Sequence, residues 1–559
     1  MTRSPARHNR RSFVKVTAAA GLSLPRGLLR VQSVAAEVRD KVGLGEKAKL
    51  FLDDEVIAEM KGLRRVLHQP RKAGLIEEAD GRPWELGDQI SVVRALNSRF
   101  HLTYRFHWPD PSVRDLHPSI GADKAHWFRQ TTGYAVSEDG IRWSKPVLGL
   151  VEGPTGFRRA PESKWADGVF FEPAGFSRAN NLGCPINVIQ DLGAFGGARD
   201  ARHRYLVNVV RYGDTHPFAE ITDAGLYFAG DVPDVARNPR WRERLETIWE
   251  GRRRGPRGPA VRVAGFDERE QVWFECAQGS FGKWLKRGGR DIGRWTSRDL
   301  REWLAEELVL PIAEDESRAP EDWVEYMDIR VMRVADVWLG QLVIFHGDRT
   351  SPQYEMPTQA GVWRKGTTEM RLILSRDAGK TWRRVCGKEV WLPHHAQDDG
   401  YDRLVFTGSH ARVGDELWLY YGCWDGDHLV WNKDGTPFYK NRTRVGRTAR
   451  ATLRWNGFVS LRADGSGELV TKPFRPGGRR LAVNAAAGKG SVRVELQGAD
   501  GKHVLGFGLT DCEPVTGDGI AQRVRWRGGR ELPTSLRERP LRLCFEVKQA
   551  DLFGFEWVE

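Results

Sequence analysis

Cysteine is scarce in this chain, with six among 559 residues, too few for a disulfide-built scaffold. Long apolar runs are missing as well. No stretch reaches the ~18 uninterrupted apolar residues of a membrane helix, so no internal span is expected. There is no nucleotide-binding glycine loop, no His-Glu-x-x-His, no Cys-x-x-Cys and no nucleophile elbow. Those absences remove nucleotide-driven, zinc-peptidase, thiol-redox and α/β-hydrolase chemistry from first consideration. Acid is in deficit: 87 Lys and Arg face 74 Asp and Glu, a net charge of +13. Seven of those positive charges (Arg3, Arg7, Arg10, Arg11, Lys15, Arg26, Arg30) lie within residues 1–35, which hold no acid. The remaining excess is mild and reads as interspersed. With no basic helix, zinc finger or aromatic-basic motif, a nucleic-acid partner is not expected.

What is present is aromatic and strand-like. Hydrophobic residues make up 40% of the chain and Trp alone contributes 22, ample for a large core. The amino terminus runs Asn9-Arg10-Arg11-Ser12-Phe13-Val14-Lys15 into the weakly apolar Val16–Leu24. That order resembles a twin-arginine export signal over residues 1–35, with Ser33-Val34-Ala35 as the small-residue cleavage site. A periplasmic or extracellular location is the expectation. Proteins exported in this way cross folded, so the cysteines are expected as buried thiols, with a Cys512–Cys544 pair left open.

After residue 45 come short apolar runs of about five residues broken by Gly, Asp and Pro, such as Ile90–Val93, Tyr205–Val210 and Glu416–Tyr421. A turn motif recurs over them. Ser137-Glu-Asp139-Gly140-Ile-Arg-Trp143, Ser297-Arg-Asp299-Leu-Arg-Glu-Trp303 and Ser375-Arg-Asp377-Ala-Gly379-Lys-Thr-Trp382 are good copies. Degenerate ones end at Trp241 and Trp455. Asp caps the turn amides, Gly supplies positive φ, and Trp folds back on the neighbouring strands. Five such repeats predict an all-β fold, a five-bladed β-propeller over 46–464. From residue 466 the texture becomes strict alternation, as in Val492–Leu496 and Leu541–Val547, predicting a β-sandwich over 466–559.

Leu50-Phe-Leu-Asp-Asp54, His68-Gln-Pro70, Pro83-Trp84-Glu85, the Ser137–Pro146 turn, Asn180-Asn181, Leu417–Gly422 and Ala451–Leu461 follow one another in order. Together they resemble the five-bladed propeller proteins related to glycoside hydrolase families 32 and 43, in an exported bacterial form with a C-terminal β-sandwich. That resemblance implies a funnel on the propeller axis lined by the innermost strand of each blade. It implies a carbohydrate substrate and carboxylates from different blades. Glycosidic cleavage passes through an oxocarbenium-like state that needs a proton donor on the leaving oxygen and a carboxylate opposite.

The carboxylate candidates are Glu85, Asp191, Glu325 and Asp328. Trp84, Asp88, Asn180, Asn181, Tyr326, Arg330 and His346 are the candidate substrate-binding residues. Inner strands are expected at Ile90–Val93, Ile186–Asp191 and Ala260–Ala264. By two-residue alternation Tyr326, Asp328 and Arg330 should share a face, with Glu325 opposite. Blade 3 offers no inner-strand acid, and Glu275 is expected mid-blade on the second strand. Asp53 and Asp54 read equally as axial groups or as turn or inter-blade caps. Asp398, Asp399 and Asp402, with His394 and His395, read as a solvated loop. No metal site or cofactor is indicated; an axial calcium ion is left open. Two alternatives to a hydrolase remain: a non-catalytic carbohydrate-binding propeller that has lost its acid, and a sialidase-like enzyme, which needs six blades and axial arginines.

Overall fold

The computed structural model describes residues 48–76, 90–95, 99–109, 128–144, 186–191, 200–212, 221–232, 245–250, 263–278, 290–304, 307–350, 366–395, 401–424 and 446–559. Within them five antiparallel sheets follow one another along the chain. Their inner strands are Ile90–Arg94, Ile186–Asp191, Val263–Asp267, Asp322–Val334 and Leu404–Val413 for blades 1 to 5. Neighbouring inner strands abut, blade 1 against blade 2, blade 3 against blade 4, blade 4 against blade 5 and blade 5 against blade 1. This is the expected five-bladed propeller. The described part of the blade 3 inner strand begins at Val263, with 260–262 outside the described residues, and Glu275 does sit on its second strand, Val272–Gln278.

The repeated turn performs the task its residues suggest. In blade 1, Asp139 accepts the amides of Ile141 and Arg142 at 2.8 Å each, and the Ser137 hydroxyl accepts the Gly140 amide at 2.8 Å. Gly140 has φ +72°. Blades 3 and 4 repeat the pattern at Asp299 and Asp377. Each turn follows the third strand of its blade, leading in blades 3 and 4 to the fourth and in blade 1 to a bridge at Ser144. Alternation of strand direction therefore puts these turns at one end of the propeller and the starts of the inner strands at the other.

Ring closure is non-local. Blade 5 takes its outermost strand, Arg71–Leu75, from the amino-terminal part of the chain, paired with Gly446–Arg454. That explains the degenerate fifth repeat: after Trp455-Asn456-Gly457 the chain leaves the propeller instead of supplying a fourth strand. The latch is polar. Asp402, fully buried, pairs with Lys72 of the closing strand at 2.8 Å and accepts the Tyr421 hydroxyl at 2.8 Å. It also accepts the His395 amide at 2.9 Å and contacts the His395 ring. The expected solvated loop is thus corrected at Asp402; Asp398 and Asp399 lie outside the described residues.

The C-terminal unit is one continuous eight-stranded sheet wrapped about its own apolar core, which includes Phe51, Leu461, Val483, Val494, Trp526, Phe545 and Phe555. Its organiser is the 18-residue strand Leu541–Val558. The first half pairs with Ser491–Gly498 and the second with Arg480–Ala486. Amino-terminal strands Lys49–Leu50, Ile57–Lys61 and Arg64–Leu67 join this sheet. The strand Val459–Thr471 continues through 464–467 with a register shift between Ala463 and Ser466, so the chain changes unit near Trp455–Phe458. Asp53 takes the turn reading, accepting the Glu55 amide at 3.1 Å. It pairs with Arg376 at 2.8 Å, tying the C-terminal unit to the blade 4 turn, while Asp54 pairs with Arg65. Cys512 and Cys544 are both free thiols.

Removing one partner from a buried charge pair costs about 3–5 kcal/mol. Asp402→Asn should therefore lower stability by about that amount, read as a drop in the urea denaturation midpoint. An unchanged midpoint would mean that the latch does not hold the ring.

Candidate functional site

The inner strands are not regular. In blade 4 the pairing steps from Tyr326↔Ile344 to Asp328↔Val343, which leaves Met327 as an extra, bulged residue. A bulge re-aims every side chain beyond it. Glu325, Asp328 and Arg330 pair with Phe345, Val343 and Gln341, and so share one face; Tyr326 lies on the other. The expected grouping of Tyr326 with Asp328 and Arg330 is corrected by that single residue. Similar shifts occur in the inner strands of blade 2, between Ile186 and Val188, and blade 3, between Val263 and Gly265. Blade 5 has one between Phe406 and Ser409. There Gly408 is demanded by close approach: a Cβ would lie 1.5 Å from the Tyr420 carbonyl oxygen.

The bulges of blades 4 and 5 meet. The Thr407 hydroxyl donates to Asp328 Oδ2 at 2.7 Å, which fixes the half-buried carboxyl between two blades. Glu325 is sealed from solvent and pairs with the equally buried Arg290 of blade 3 at 3.3 Å. Burial pushes the Arg290 guanidinium down to about 10. Arg330 is largely buried. Across from it, His410 of blade 5 is pushed down to about 3, by burial first and then by the Arg330 charge, so its ring is neutral.

The other face of blade 4 carries a chain of charges. His346 Nδ1 lies 2.6 Å from Asp322 and Nε2 lies 3.3 Å from Glu369. Glu369 pairs with Arg371 at 2.8 Å, Arg371 with Glu316 at 3.0 Å, and Glu316 with Arg384 at 2.7 Å. Tyr326 ends in this network, donating to Glu316 at 3.3 Å and accepting the Ala313 amide at 3.3 Å. Both nitrogens of His346 face carboxylates, so the charged ring is the form that satisfies them.

Glu85, Trp84, Asp88, Asn180 and Asn181 lie outside the described residues. Asp191 closes the inner strand of blade 2, and only its backbone position is described. Glu275 is buried mid-blade. Arg290, Thr407 and His410 escape a reading of the sequence. Their only signal is their place at or beside the blade strands, which gives no indication of the bulges that bring them in. Among the described residues no group of three or more His, Cys, Asp or Glu side chains is arranged to hold a metal ion. None of their helices is long and apolar enough to cross a membrane.

Five blades about one axis, with a shared β-domain at the ends of the chain, define this molecule as a five-bladed β-propeller protein. No family model and no curated protein matches the chain. Among solved structures it is similar to a glycoside hydrolase at 14% identity, covering 69% of this chain and 92% of that one, with a TM-score of 0.36. A thermostable family-43 glycoside hydrolase gives 10% identity, 68% and 95% coverage, and a TM-score of 0.34. The α-L-arabinofuranosidase from Fusarium graminearum gives 9%, 70% and 99%, and 0.31.

The charge on His346 has a pH signature. Burial opposes its protonation, but the hydrogen bonds to Glu369 and Asp322 outweigh that and raise its pKa above the ordinary 6.5. Its contribution to stability is therefore full below about pH 6.5 and is lost as pH rises through the raised value. Burial likewise works against ionised Glu369, yet the His346 hydrogen bond and the His346 and Arg371 charges lower its pKa below 4.5. That contribution is lost as pH falls. His346→Gln should destabilise most near about pH 6 and progressively less toward about pH 9. A pH-independent loss in urea denaturation would contradict the charged-ring assignment.

Proposed function

We propose that this protein is a glycoside hydrolase-like propeller that cleaves glycosidic bonds of an oligo- or polysaccharide at the end where its inner strands begin. The observation that carries this proposal is the pair of facing bulges that sets Asp328, clamped by Thr407, beside Arg330 and Glu325. Cleavage needs two carboxyl groups on opposite sides of the scissile bond. Asp328 is one of them; Glu85 or Asp191, arriving from blades 1 and 2, is the other. Glu325, shut in with Arg290, acts as a fixed charge behind Asp328. Trp84 supplies a stacking ring, and Asp88, Asn180, Asn181 and Arg330 supply hydrogen bonds to hydroxyls. His346 and Tyr326, both committed to the charge chain, brace this end of blade 4.

A second reading has its own support. The inner strand of blade 3 carries one acid, Asp267, and that group caps the Arg269 amide at the turn end. A propeller that binds glycan without cleaving it accounts for this gap. The sialidase-like alternative requires a sixth blade, and the described sheets make five.

A hydrolysis screen across glycans, with Asp328→Asn and Glu85→Gln beside the unaltered chain, separates these readings. Release of reducing ends by the unaltered chain, reduced by at least roughly a hundredfold in Asp328→Asn, is expected for an acid–base role, and an equal loss in Glu85→Gln would choose Glu85 over Asp191 as its partner. Full activity in Asp328→Asn would remove it from the site, and binding without release would favour the lectin-like reading. We also take residues 1–35 to be a twin-arginine export leader. Arg10→Lys/Arg11→Lys should then trap a fused reporter inside the cell, whereas continued export of that variant would count against this route.

A further inference from the structure

The positive charge of this chain is not evenly interspersed. Residues 523–542 hold seven arginines, two glutamates and no lysine or aspartate, leaving five net positive charges in twenty residues. The fold places most of them in solvent. Arg523, Arg525 and Arg527 are exposed and alternate with Val524 and Trp526, which are 3% and 1% exposed. The strand Asp518–Arg523 ends at the first of them and Arg527 opens the 3-10 turn Arg527–Gly529, so the three arginines lie exposed along one short stretch while the residues between them are buried. Arg530 follows, also exposed, after Gly528 and Gly529 turn the chain at positive φ.

The neighbouring strand adds to this face. Val524 donates its amide to Leu481, which sets Arg480 opposite Arg525. One carboxylate, Glu531, is shared by Arg523 at 3.3 Å, Arg479 at 3.7 Å and Arg480 at 4.0 Å. Arg525, Arg527 and Arg530 form no ion pair among the described residues. Glu559 lies 4.0 Å from Arg479 and 3.8 Å from Arg537, so two carboxylates, Glu531 and Glu559, hold the paired arginines and the face keeps a positive excess.

We propose that this arginine face of the C-terminal unit is a docking surface for an acidic polysaccharide, one bearing sulfate or carboxylate groups. The proposal rests on the carbohydrate reading of the propeller for its choice of polymer. Exclusive use of arginine suits oxyanions, because the planar fork binds two oxygens at once where lysine offers a point charge. A single-stranded nucleic acid would require exposed rings on which bases stack. The ring within this row, Trp526, is turned inward, packed on Phe507 at 5.1 Å and donating to the Val494 carbonyl at 3.0 Å. A lipid surface would require an apolar face beside the charge. The one strongly exposed large apolar residue of this unit is Leu505.

The test is calorimetric titration of the full chain with dextran sulfate, polygalacturonate, unsulfated dextran and duplex DNA, each at two salt concentrations. Binding to dextran sulfate or polygalacturonate that weakens with salt, with no binding to dextran, is expected; the two acidic polymers tell sulfate from carboxylate recognition. Arg525→Gln/Arg527→Gln/Arg530→Gln should weaken it at least roughly tenfold, the scale of removing three exposed charges together. The denaturation midpoint of this variant should be unchanged, because none of the three makes an ion pair. Unweakened binding by the variant, equal binding of neutral dextran, or tighter binding of DNA than of either acidic glycan would overturn the proposal. Asp328→Asn should leave this binding intact, so failure of the cleavage reading and failure of this one are separately visible.

Discussion

A propeller is a ring of sheets, and a ring is stable only if its last sheet is closed. Here closure depends on five residues, Arg71–Leu75, brought from the start of the folded chain to the edge of blade 5. An open edge strand would expose unpaired backbone groups and invite association. The closing strand is held in two ways. Lys72 reaches the buried Asp402, and the chain just before it, Arg64–Leu67, is fixed in the C-terminal sheet against Val459–Leu461. The C-terminal unit is therefore a clamp as well as an appendage. It grips the segments that enter and leave the propeller, and one apolar cluster runs from Leu339 and Leu419 in the blades to Leu67 and Phe458 at the junction.

With the ring closed, the inner strands are pressed together, and their irregularity acquires meaning. A regular strand alternates, so successive acids would face different neighbours. One extra residue at Met327 aligns Glu325, Asp328 and Arg330, and the facing bulge at Thr407-Gly408 reaches across to hold Asp328. The same strand keeps its opposite face for a structural task, the chain from His346 through Glu369, Arg371 and Glu316 to Arg384. The two faces of blade 4 thus divide the work. One supplies candidate chemistry, while the other commits its carboxylates to ion pairs that stiffen the same end.

Much of this is legible in the sequence. The Asp-turn-Trp repeats reveal the blade count, because the residues that cap a turn and refill its hydrogen bonds recur with their spacing. The inner strands of blades 1 and 2 are readable almost to the residue. The bulges are not legible, since an added residue such as Met327 changes no composition and breaks no apolar pattern that a buried strand would show. Ring closure is hidden for a different reason. Arg71–Leu75 is a weak strand by propensity, and its pairing with Gly446–Arg454 spans most of the chain. Asp402 looks solvated in the sequence because it stands among acids and histidines, whereas Lys72, the residue that makes its burial tolerable, is remote along the chain.

The distribution of charge follows the same division of labour. Residues 1–35 carry seven of the thirteen net positive charges and residues 523–542 carry five, so the rest of the chain is almost neutral. Under the proposed reading, in which Asp328 stands by a developing cation, an unmatched excess of guanidinium groups around it would oppose the chemistry. Arg290 is accordingly matched to Glu325 inside the propeller, and the excess is displaced to a face of the other unit. Exposed charges separated by more than a Debye length of about 8 Å are largely screened, so a positive face on the clamp acts chiefly on what comes close to it.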